Sequence, residues 1–363
     1  MSINHGANLF DLSNELGINK KDIKDFSSNI NPFGASKKAK DAILNNIDMV
    51  SIYPDPKYTD LKESISQYCH CKKENIIVGS GATELISSFI SVINPKKALL
   101  LSPSYSEYES ELEKINCEIT KFFSKEEDNF KIDVNKLIES INSSKFDLVI
   151  ICNPNNPTGF AFSKDEISLL LKNTSSIFMV DETYVEFTEP EIYSSTPLVD
   201  IFNNLFVIRG TSKFFSTPGI RLGYGLISNK EIKKSMVEKL DLWNINIFAT
   251  TMGEIMFKDK EYILSNTSKL KEERDYLFRE LSSIKDLKVY ESYSNFILCK
   301  ITSKKFTATE LYNKLFKKGL IIRNCSSFEG LNEYFFRVCV LKPEDNKLLI
   351  ENLKNLFLKL YLI

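Results

Sequence analysis

Five short apolar runs in the first two thirds of the chain constrain its fold more than any other feature. Each run has three or four consecutive apolar residues, leads into polar or turn residues, and is separated from the next by stretches with helical periodicity. Runs of this kind are typical of parallel strands that are buried on both faces. We therefore expect an α/β fold with a mostly parallel sheet covered by helices. The runs are residues 76–78, 98–101, 148–151, 177–180 and 205–208.

The residues that follow these runs are candidates for the chemistry of the protein. Ligands of parallel sheets bind beyond the carboxyl ends of the strands, and here those ends lead to a glycine turn, aromatic residues, an amide, an acid and a lysine. Each residue alone has an ordinary structural interpretation: rim packing for Tyr108, a turn for Asn156, and a helix cap or ion pair for Asp181. Their joint occurrence in this order indicates a ligand site at one edge of the sheet.

The first of these strand ends predicts an anion site. Residues 79–81 form a glycine turn, and apolar residues at helical spacing follow from Leu85 to Ile93. Unpaired backbone N–H groups and the positive end of the helix dipole meet at the start of such a helix, and both attract anions. The alternative is an ordinary connection between a strand and a helix.

Lys213 follows the last run and is a candidate nucleophile. A lysine that is partly desolvated and close to another cation can lose its proton and form an imine with an aldehyde. Arg221, eight residues further along the chain, is a candidate for that cation and for a phosphate ligand. The alternative is that Lys213 is an ordinary solvated lysine.

The pattern changes near residue 258, where a long charged helix is followed by alternating strands and helices. We expect an N-terminal substrate-site arm over residues 1–35, a large domain over residues 36–257 and a smaller α+β C-terminal domain over residues 258–363. Arg323 and Arg337 lie in apolar, strand-like stretches of the small domain. They indicate either an ion pair at the sheet edge or a clamp for an anionic substrate.

The composition narrows the range of partners. The 47 Lys and Arg residues nearly balance the 48 Asp and Glu residues, so the net charge of −1 provides no electrostatic case for nucleic acid or an anionic membrane. Seven scattered cysteines favour reduced, buried thiols. The cluster at residues 69–71 cannot readily converge on one ion, so we expect no metal site. Signal-peptide features and apolar runs of transmembrane length are lacking, and we expect a cytoplasmic protein.

The motifs at the strand ends resemble those of the fold-type I pyridoxal-phosphate enzymes, the aspartate-aminotransferase-like family, over essentially the whole chain. The matching pieces are NPNNPTG at residues 153–159, DETY at 181–184, and SK at 212–213 followed by GIRLGY at 219–224. The resemblance implies that pyridoxal 5'-phosphate is the cofactor and that the protein is a homodimer with a shared active site.

The resemblance also assigns roles to individual residues. Lys213, Asp181 and Tyr184 are the implied catalytic residues. The implied cofactor contacts are Lys213 as the Schiff-base lysine, Asp181 at the ring nitrogen, Asn156 and Tyr184 at the ring 3-oxygen, Tyr108 stacked on the ring, Ser80, Gly81, Ala82, Thr83, Ser212 and Arg221 around the phosphate, and Tyr53 from the neighbouring subunit. Relatives commonly have a hydroxyl residue three positions before the lysine. This chain has Gly210 there, and Thr211 is a candidate replacement.

Within this family, the chain most resembles the threonine-phosphate decarboxylases of cobalamin synthesis, which are themselves similar to histidinol-phosphate aminotransferases. The discriminating piece is the arm HGAN at residues 5–8, where Ala7 replaces the usual second glycine, and DFSSNINP at residues 25–32 also matches closely. By this resemblance the substrate residues, which surround a phosphate and a carboxylate, are His5, Asn31, Asn156, Arg323 and Arg337.

The resemblance implies decarboxylation of L-threonine O-3-phosphate to aminopropanol phosphate, with phosphoserine as a further possible substrate. One methyl group separates these two substrates, a difference typically worth about 1–3 kcal/mol. A histidinol-phosphate or related aminotransferase is the first alternative. A pyridoxal-phosphate-binding transcription regulator is the second, although neither the short arm nor the charge balance provides a DNA-binding module.

Overall fold

The computed structural model describes residues 8–303 and 305–358. The strands, numbered in chain order, are β1 (Lys24–Asp25), β2 (Ile76–Gly79), β3 (Lys97–Ser102), β4 (Glu118–Phe123), β5 (Leu148–Cys152), β6 (Ile177–Asp181), β7 (Leu205–Gly210), β8 (Gly223–Ile227), β9 (Leu287–Val289), β10 (Phe296–Ile301), β11 (Leu320–Ile321), β12 (Arg323–Asn324) and β13 (Phe335–Cys339).

The α-helices flank these strands and are joined to them by turns and short 3-10 segments. In chain order they are α1 (Leu9–Leu16), α2 (Lys37–Asn45), α3 (Thr59–Cys69), α4 (Ala82–Ile93), α5 (Glu107–Lys114), α6 (Val134–Ser144), α7 (Lys164–Asn173), α8 (Pro190–Tyr193), α9 (Lys230–Lys239), α10 (Ile247–Met256), α11 (Lys260–Ser282), α12 (Ala308–Phe316) and α13 (Pro343–Leu358).

The larger sheet confirms the predicted fold class, and each of the five predicted runs forms a strand in it. In the described part of the chain its order is β2-β8-β7-β6-β5-β3-β4. All of these strands run parallel except β8, which is antiparallel to both of its neighbours. Alternate residues of β5 enter different cores: Val149 and Ile151 pack on one face of the sheet, and Ile150 packs on the other. The sheet is therefore covered on both faces.

Strand β8 was not predicted, because its two glycines lack the side chains that give a strand its apolar signature. Both glycines are needed for close packing. A Cβ at Gly223 would lie 2.5 Å from the backbone nitrogen of Ala82, and a Cβ at Gly225 would lie 2.4 Å from the ring of Phe206. Glycine at position 223 therefore lets β8 lie against the start of α4, and glycine at position 225 leaves room for the Phe206 ring.

The smaller sheet has the order β12-β13-β10-β9 among the described residues and is antiparallel. Together with α11, α12 and α13 it forms an α+β unit after the predicted boundary at residues 257–258, whereas the larger sheet lies wholly before that boundary. The domain limits themselves stay a prediction. In the antiparallel pair of β12 and β13, Arg323 is directly opposite Arg337. Their side chains therefore emerge on the same face of the sheet.

Residues 24–31, here called the bridging segment, connect the small sheet to the loop after β7. At its start, β1 pairs in parallel with β11, and the Phe26 carbonyl accepts a hydrogen bond from the Cys339 N–H at 2.9 Å. At its end, the Asn31 N–H donates to the Lys213 carbonyl at 3.0 Å. This part of the predicted N-terminal arm is thus hydrogen-bonded both to the small sheet and to the loop after β7.

Within the described residues, no helix has the length and apolar character needed to span a membrane, and no cluster of three or more His, Cys, Asp or Glu side chains could hold a metal ion. The seven cysteines are free, and five of them are buried.

Candidate active site

A cavity of about 340 Å³ lies at the carboxyl ends of β5, β6 and β7, the edge of the sheet at which the sequence predicts a site. The residues that line it come from both sheets and from the bridging segment. They are Ser27, Ser28, Asn29, Ile30, Ala82, Thr83, Ile86, Tyr105, Tyr108, Cys152, Asn156, Asp181, Thr183, Tyr184, Gly210, Ser212, Lys213, Pro218, Arg221, Arg323, Phe328 and Arg337.

Lys213 lies three residues beyond the end of β7, and its amine points into the cavity. Nζ donates a hydrogen bond to the Ser28 carbonyl at 2.7 Å. Burial, followed by the positive charge of Arg337, lowers the pKa of Lys213 to about 8. Arg221 was the candidate for the cation that acts on Lys213, but the cation that lowers this pKa is Arg337, which lies on β13 of the small sheet. A fraction of the amine is uncharged near neutral pH, as a nucleophile requires.

Asp181 ends β6 and is almost fully buried, with 4% of its surface exposed. Its Oδ2 accepts a hydrogen bond from the Tyr108 hydroxyl at 2.7 Å. Its Oδ1 accepts two from Thr183, one from the backbone N–H at 2.9 Å and one from the hydroxyl at 2.6 Å. Burial raises the pKa of Asp181, and the donors from Thr183 and Tyr108 oppose that rise. The site thus contains a buried acid whose two oxygens both have partners.

Tyr184 and Asn156 lie where the large domain meets the bridging segment and the small sheet. The Tyr184 hydroxyl accepts a hydrogen bond from Asn29 Nδ2 at 3.2 Å. Burial raises the pKa of Tyr184, so its hydroxyl stays protonated at neutral pH. Asn156 Oδ1 accepts a hydrogen bond from Arg337 Nη1. Both side chains therefore line the cavity. Their contacts with the ring 3-oxygen of a bound cofactor stay a prediction.

The predicted anion site has the expected architecture. Helix α4 begins at Ala82, and Ala82 and Thr83 both line the cavity. Gly81 precedes the helix with a φ of 85°, and a Cβ there would lie 2.5 Å from Arg221 Nη2. Glycine thus lets the Arg221 guanidinium lie against the start of the helix, where Nη2 is 3.5 Å from the Ser80 carbonyl. Ser80 and Gly81 lie next to this end of the cavity but do not line it.

Gly210 lies where relatives commonly have a hydroxyl residue, three positions before Lys213. Gly210 lines the cavity, so a hydroxyl residue at this position would point into the site. Thr211 does not replace it. The Thr211 side chain is fully buried, and its hydroxyl donates to the Leu222 carbonyl at 3.0 Å and accepts from Thr217 at 2.9 Å. The hydroxyl that lines the cavity in this loop is that of Ser212.

The end of the cavity formed by the small sheet holds the two arginines. Arg323 and Arg337 are 6% and 4% exposed. Arg337 Nη2 donates to the Ser27 carbonyl at 2.7 Å, and its guanidinium lies 4.9 Å from the centre of the Phe296 ring. Its Nε has no hydrogen-bond partner. Arg323 Nη2 donates to the Ser327 hydroxyl at 3.2 Å, and burial, followed by the charge of Arg337, lowers the pKa of Arg323.

Asn31, which we predicted to bind substrate, does not line the cavity. Its amide is 1% exposed and donates to the Phe214 carbonyl at 2.8 Å and to Asn266 Oδ1 at 3.0 Å. Because these contacts occupy the side chain inside the fold, the prediction is corrected to Asn29. Asn29 lines the cavity and has a buried Oδ1 without a hydrogen-bond partner. The two asparagines lie in the same motif, two residues apart.

Three residues singled out in the sequence lie away from the cavity or beyond the described residues. His5 and Ala7 are outside the described residues. Tyr53 is 75% exposed, and its ring stacks on Trp243 with 4.3 Å between ring centres. Its predicted role in a neighbouring subunit stays a prediction, as does the stacking of Tyr108 on a bound ring.

Sequence reasoning missed several lining residues, among them Tyr105, Thr183 and Phe328. Thr183 lies inside the DETY motif, so its position next to Asp181 was a usable signal. Phe328 belongs to the turn after β12, and its ring lies 5.4 Å from the Arg323 guanidinium. No local pattern marks such a residue, because its place depends on how the small sheet packs on the large one.

The cavity fits an aromatic aldehyde that carries a phosphate. A helix start with an arginine suits the phosphate, a buried carboxylate suits a protonated ring nitrogen, and a lysine with a lowered pKa suits the aldehyde. All three groups line the same cavity. Pyridoxal 5'-phosphate has these three features.

Comparison with known proteins supports the same family. The family model described as aminotransferase class I and II matches residues 21–353. A protein of Caldanaerobacter subterraneus subsp. tengcongensis, provisionally named threonine-phosphate decarboxylase, is 40% identical over 357 residues, which are 97% of this chain and 94% of that protein. The histidinol-phosphate aminotransferase of Methanosphaera stadtmanae is 32% identical over 354 residues, 97% of this chain and 95% of that protein.

A solved structure agrees with these matches. The crystal structure of the histidinol-phosphate aminotransferase from Clostridium acetobutylicum superimposes with a TM-score of 0.87 at 34% identity, covering 93% of this chain and all of that one. With the geometry of the cavity, these comparisons show that the chain belongs to the class I and II aminotransferase family of fold-type I enzymes, whose cofactor is pyridoxal 5'-phosphate.

Proposed function

We propose that this chain is a pyridoxal-phosphate-dependent lyase that removes the carboxyl group of L-threonine O-3-phosphate and releases aminopropanol phosphate. The similarity to the Caldanaerobacter protein, 40% identical over 97% of this chain, supports this choice within the family. The match to a bifunctional protein of adenosylcobalamin biosynthesis from Leptospira interrogans, at 34% identity, agrees with it, although this chain covers 41% of that longer protein.

The observation that carries the proposal is the environment of Arg337. Its guanidinium is buried, and its contacts within the described residues are with an amide, a backbone carbonyl and an aromatic ring, all of them neutral. A buried charge without a counterion is costly, and Arg323 adds a second cation directly across the sheet. An anionic substrate supplies the missing charge. Two cationic centres suit a small molecule that has both a phosphate and a carboxylate.

The chemistry follows from the positions of these groups. When bound, pyridoxal 5'-phosphate supplies an electron sink for the charge that develops at the substrate α-carbon. Asp181 offers a carboxylate for the ring nitrogen, and Arg323 and Arg337 orient the acidic groups of the substrate. Lys213, with a pKa of about 8, can hold a proton and return it to the α-carbon after CO₂ has left.

The first alternative is transamination of histidinol phosphate. It is favoured by the 32% identity to the Methanosphaera enzyme and by the Clostridium structure at 34% identity. The same residues serve this reaction if Lys213 removes the α-proton and the carbon–carbon bond is left intact. A phosphate is common to both substrates, so the difference lies in whether a carboxylate occupies the second cationic centre.

The deciding experiment compares three substrates under one set of conditions. The purified enzyme with its cofactor is incubated with phosphothreonine, with phosphoserine, and with histidinol phosphate plus 2-oxoglutarate, and CO₂ and glutamate are quantified. We expect CO₂ from phosphothreonine without any added keto acid, and little glutamate from histidinol phosphate. Efficient glutamate formation, with no CO₂ from either phosphoamino acid, contradicts the proposal and supports the aminotransferase.

The proposed enzyme is a homodimer in which Tyr53 reaches the cofactor phosphate of the partner subunit. Tyr53 is 75% exposed, and several exposed apolar residues lie near it in sequence, or near its stacking partner Trp243: Leu44, Ile47, Val50, Ile52 and Leu242. Exposed apolar side chains of this kind suit burial against a second copy. Mixing inactive Tyr53→Phe and Lys213→Ala subunits should restore part of the activity in hybrid dimers. If each variant alone is impaired and the mixture gains nothing, the shared site is excluded.

A further inference from the structure

Thr183 is a cavity-lining residue with no role assigned so far. It lies two residues after Asp181, and its side chain is partly buried. It gives Asp181 Oδ1 two hydrogen bonds, one from the hydroxyl at 2.6 Å and one from the backbone N–H at 2.9 Å. Tyr108 contacts the other oxygen at 2.7 Å. Asp181 is thus held by one residue at Oδ1 and by another at Oδ2.

The two donors of Thr183 have different consequences for Asp181. The N–H belongs to the backbone and persists in every variant, whereas the hydroxyl depends on the side chain. A second donor on the same oxygen restricts rotation of the carboxylate plane and leaves Oδ2 directed to the other side. It also stabilises the charged carboxylate, because hydrogen bonds to an ionised acceptor are roughly twice as strong as neutral ones. Burial acts in the opposite direction and raises the pKa of Asp181.

We propose that the Thr183 hydroxyl is a positioning group that orients the Asp181 carboxylate and keeps it ionised, so that Oδ2 can pair with the protonated ring nitrogen of bound pyridoxal 5'-phosphate. Thr183 acts through Asp181 and needs no contact with the cofactor. The role is the same for decarboxylation and for transamination, because both require the ring to accept charge. The inference therefore does not depend on which substrate the enzyme uses.

Two substitutions separate the hydroxyl from the rest of the side chain. Thr183→Val keeps the shape and removes the hydroxyl, and Thr183→Ser keeps the hydroxyl and removes the methyl group. Each apoprotein is titrated with pyridoxal 5'-phosphate, and with an analogue in which carbon replaces the ring nitrogen, and the dissociation constant is measured by absorbance. No substrate is present, so the result is independent of the decarboxylase proposal.

We expect Thr183→Val to bind the natural cofactor about 10-fold more weakly than the wild type, the lower end of what a hydrogen bond to a charged group contributes. Thr183→Ser should stay within about twofold of the wild type. The analogue should bind all three proteins equally, because it has no ring nitrogen for Asp181 to pair with. Equal binding of the natural cofactor to wild type and Thr183→Val, or equal weakening for both ligands, overturns the proposal.

A second measurement covers the case in which Thr183→Val disturbs folding. The Asp181→Asn protein is compared with the Asp181→Asn, Thr183→Val double variant, and thermal melting of both apoproteins is recorded. If Thr183 acts through the carboxylate, adding Thr183→Val to Asp181→Asn changes cofactor affinity by less than about twofold. A further loss as large as that in the wild-type background shows that the valine acts on the cavity itself, and the positioning role is then wrong.

Discussion

The two ends of the cavity differ in how complete they are. At the cofactor end, both oxygens of Asp181 have hydrogen-bond donors, and the side chains come from successive strand ends of one sheet. At the substrate end, Asn29 Oδ1 and Arg337 Nε are buried without partners, and the residues come from segments some three hundred positions apart in the chain. The acid at the first end has its hydrogen-bond partners before any ligand binds, whereas the second end still lacks partners that a ligand can supply. The difference predicts that variants at the two ends fail in different assays.

The largest effect is expected for Lys213→Ala, which removes a group that serves both ends. Turnover should fall by roughly 10⁴-fold or more, at or beyond the upper end of what a positioned acid–base group contributes. The absorption band of the covalently attached cofactor should vanish, while binding of the phosphate through the start of α4 persists. Spectral titration and product assays measure the two effects. If the band survives in this variant, another lysine carries the cofactor.

Arg337→Ala should separate the two ends most clearly. We expect kcat/KM for the phosphorylated substrate to fall about 10²- to 10³-fold, because hydrogen bonds to charged groups contribute about 1.5–3 kcal/mol each. The cofactor dissociation constant should change little. Arg337→Lys is the matched control, since it keeps the charge but loses the paired donors, and Arg323→Ala should follow the same pattern. A parallel loss of cofactor affinity would mean that the two ends are not independent.

The pKa of Lys213 predicts a pH-dependent stability of the apoprotein. Its folded-state pKa of about 8 is below the ordinary value of 10.5, so between these values the unfolded chain binds more protons and Lys213 makes stability rise with pH. At pH 7 the cost of burying the charged amine is fully present. Lys213→Met should therefore be about 3 kcal/mol more stable than the wild type at pH 7. This difference should shrink by pH 10.

Urea denaturation at pH 7, 8, 9 and 10 tests this prediction, provided that both proteins have the same dependence on urea. A stability difference that stays constant from pH 7 to pH 10 would show that Lys213 titrates normally in the fold.

The smallest effects are expected for substitutions of Asn29 and Asn31, two asparagines of one motif. Asn29→Gly removes the cavity-lining amide at a position whose φ of 57° glycine adopts easily, and we expect about a 10-fold loss in kcat/KM with normal cofactor binding. Asn31→Ala instead removes the donor to the buried Asn266 Oδ1 and one of the two donors to the Phe214 carbonyl. It should lower the free energy of unfolding by about 1–3 kcal/mol. Should Asn31→Ala impair substrate binding more than Asn29→Gly, our correction is mistaken.

The same comparison explains what the sequence could predict. Lys213, Asp181, Tyr184, Ala82 and Thr83 all line one cavity, because strand ends of a parallel sheet meet at one edge regardless of detail. The identity of the cation beside Lys213 depends instead on a contact between residues 213 and 337, and no local pattern reports contacts at that separation. Which of Asn29 and Asn31 lines the cavity depends on the left-handed backbone conformation of Asn29, with a φ of 57°. Strand β8 was hidden for a different reason, because its glycines provide packing clearance without apolar side chains.

The bridging segment also controls the distance between Lys213 and Arg337. Lys213 Nζ donates to the Ser28 carbonyl, and Arg337 Nη2 donates to the carbonyl of the preceding residue, Ser27, each at 2.7 Å. Consecutive Cα atoms are about 3.8 Å apart in any chain. Two adjacent peptide units, joined at the Ser28 Cα, therefore set the spacing between the Lys213 amine and the Arg337 guanidinium. Because the backbone sets this spacing, side-chain replacements at residues 27 and 28 leave it unchanged. Inserting or deleting one residue at this point would therefore do more to the enzyme than most changes of residue type.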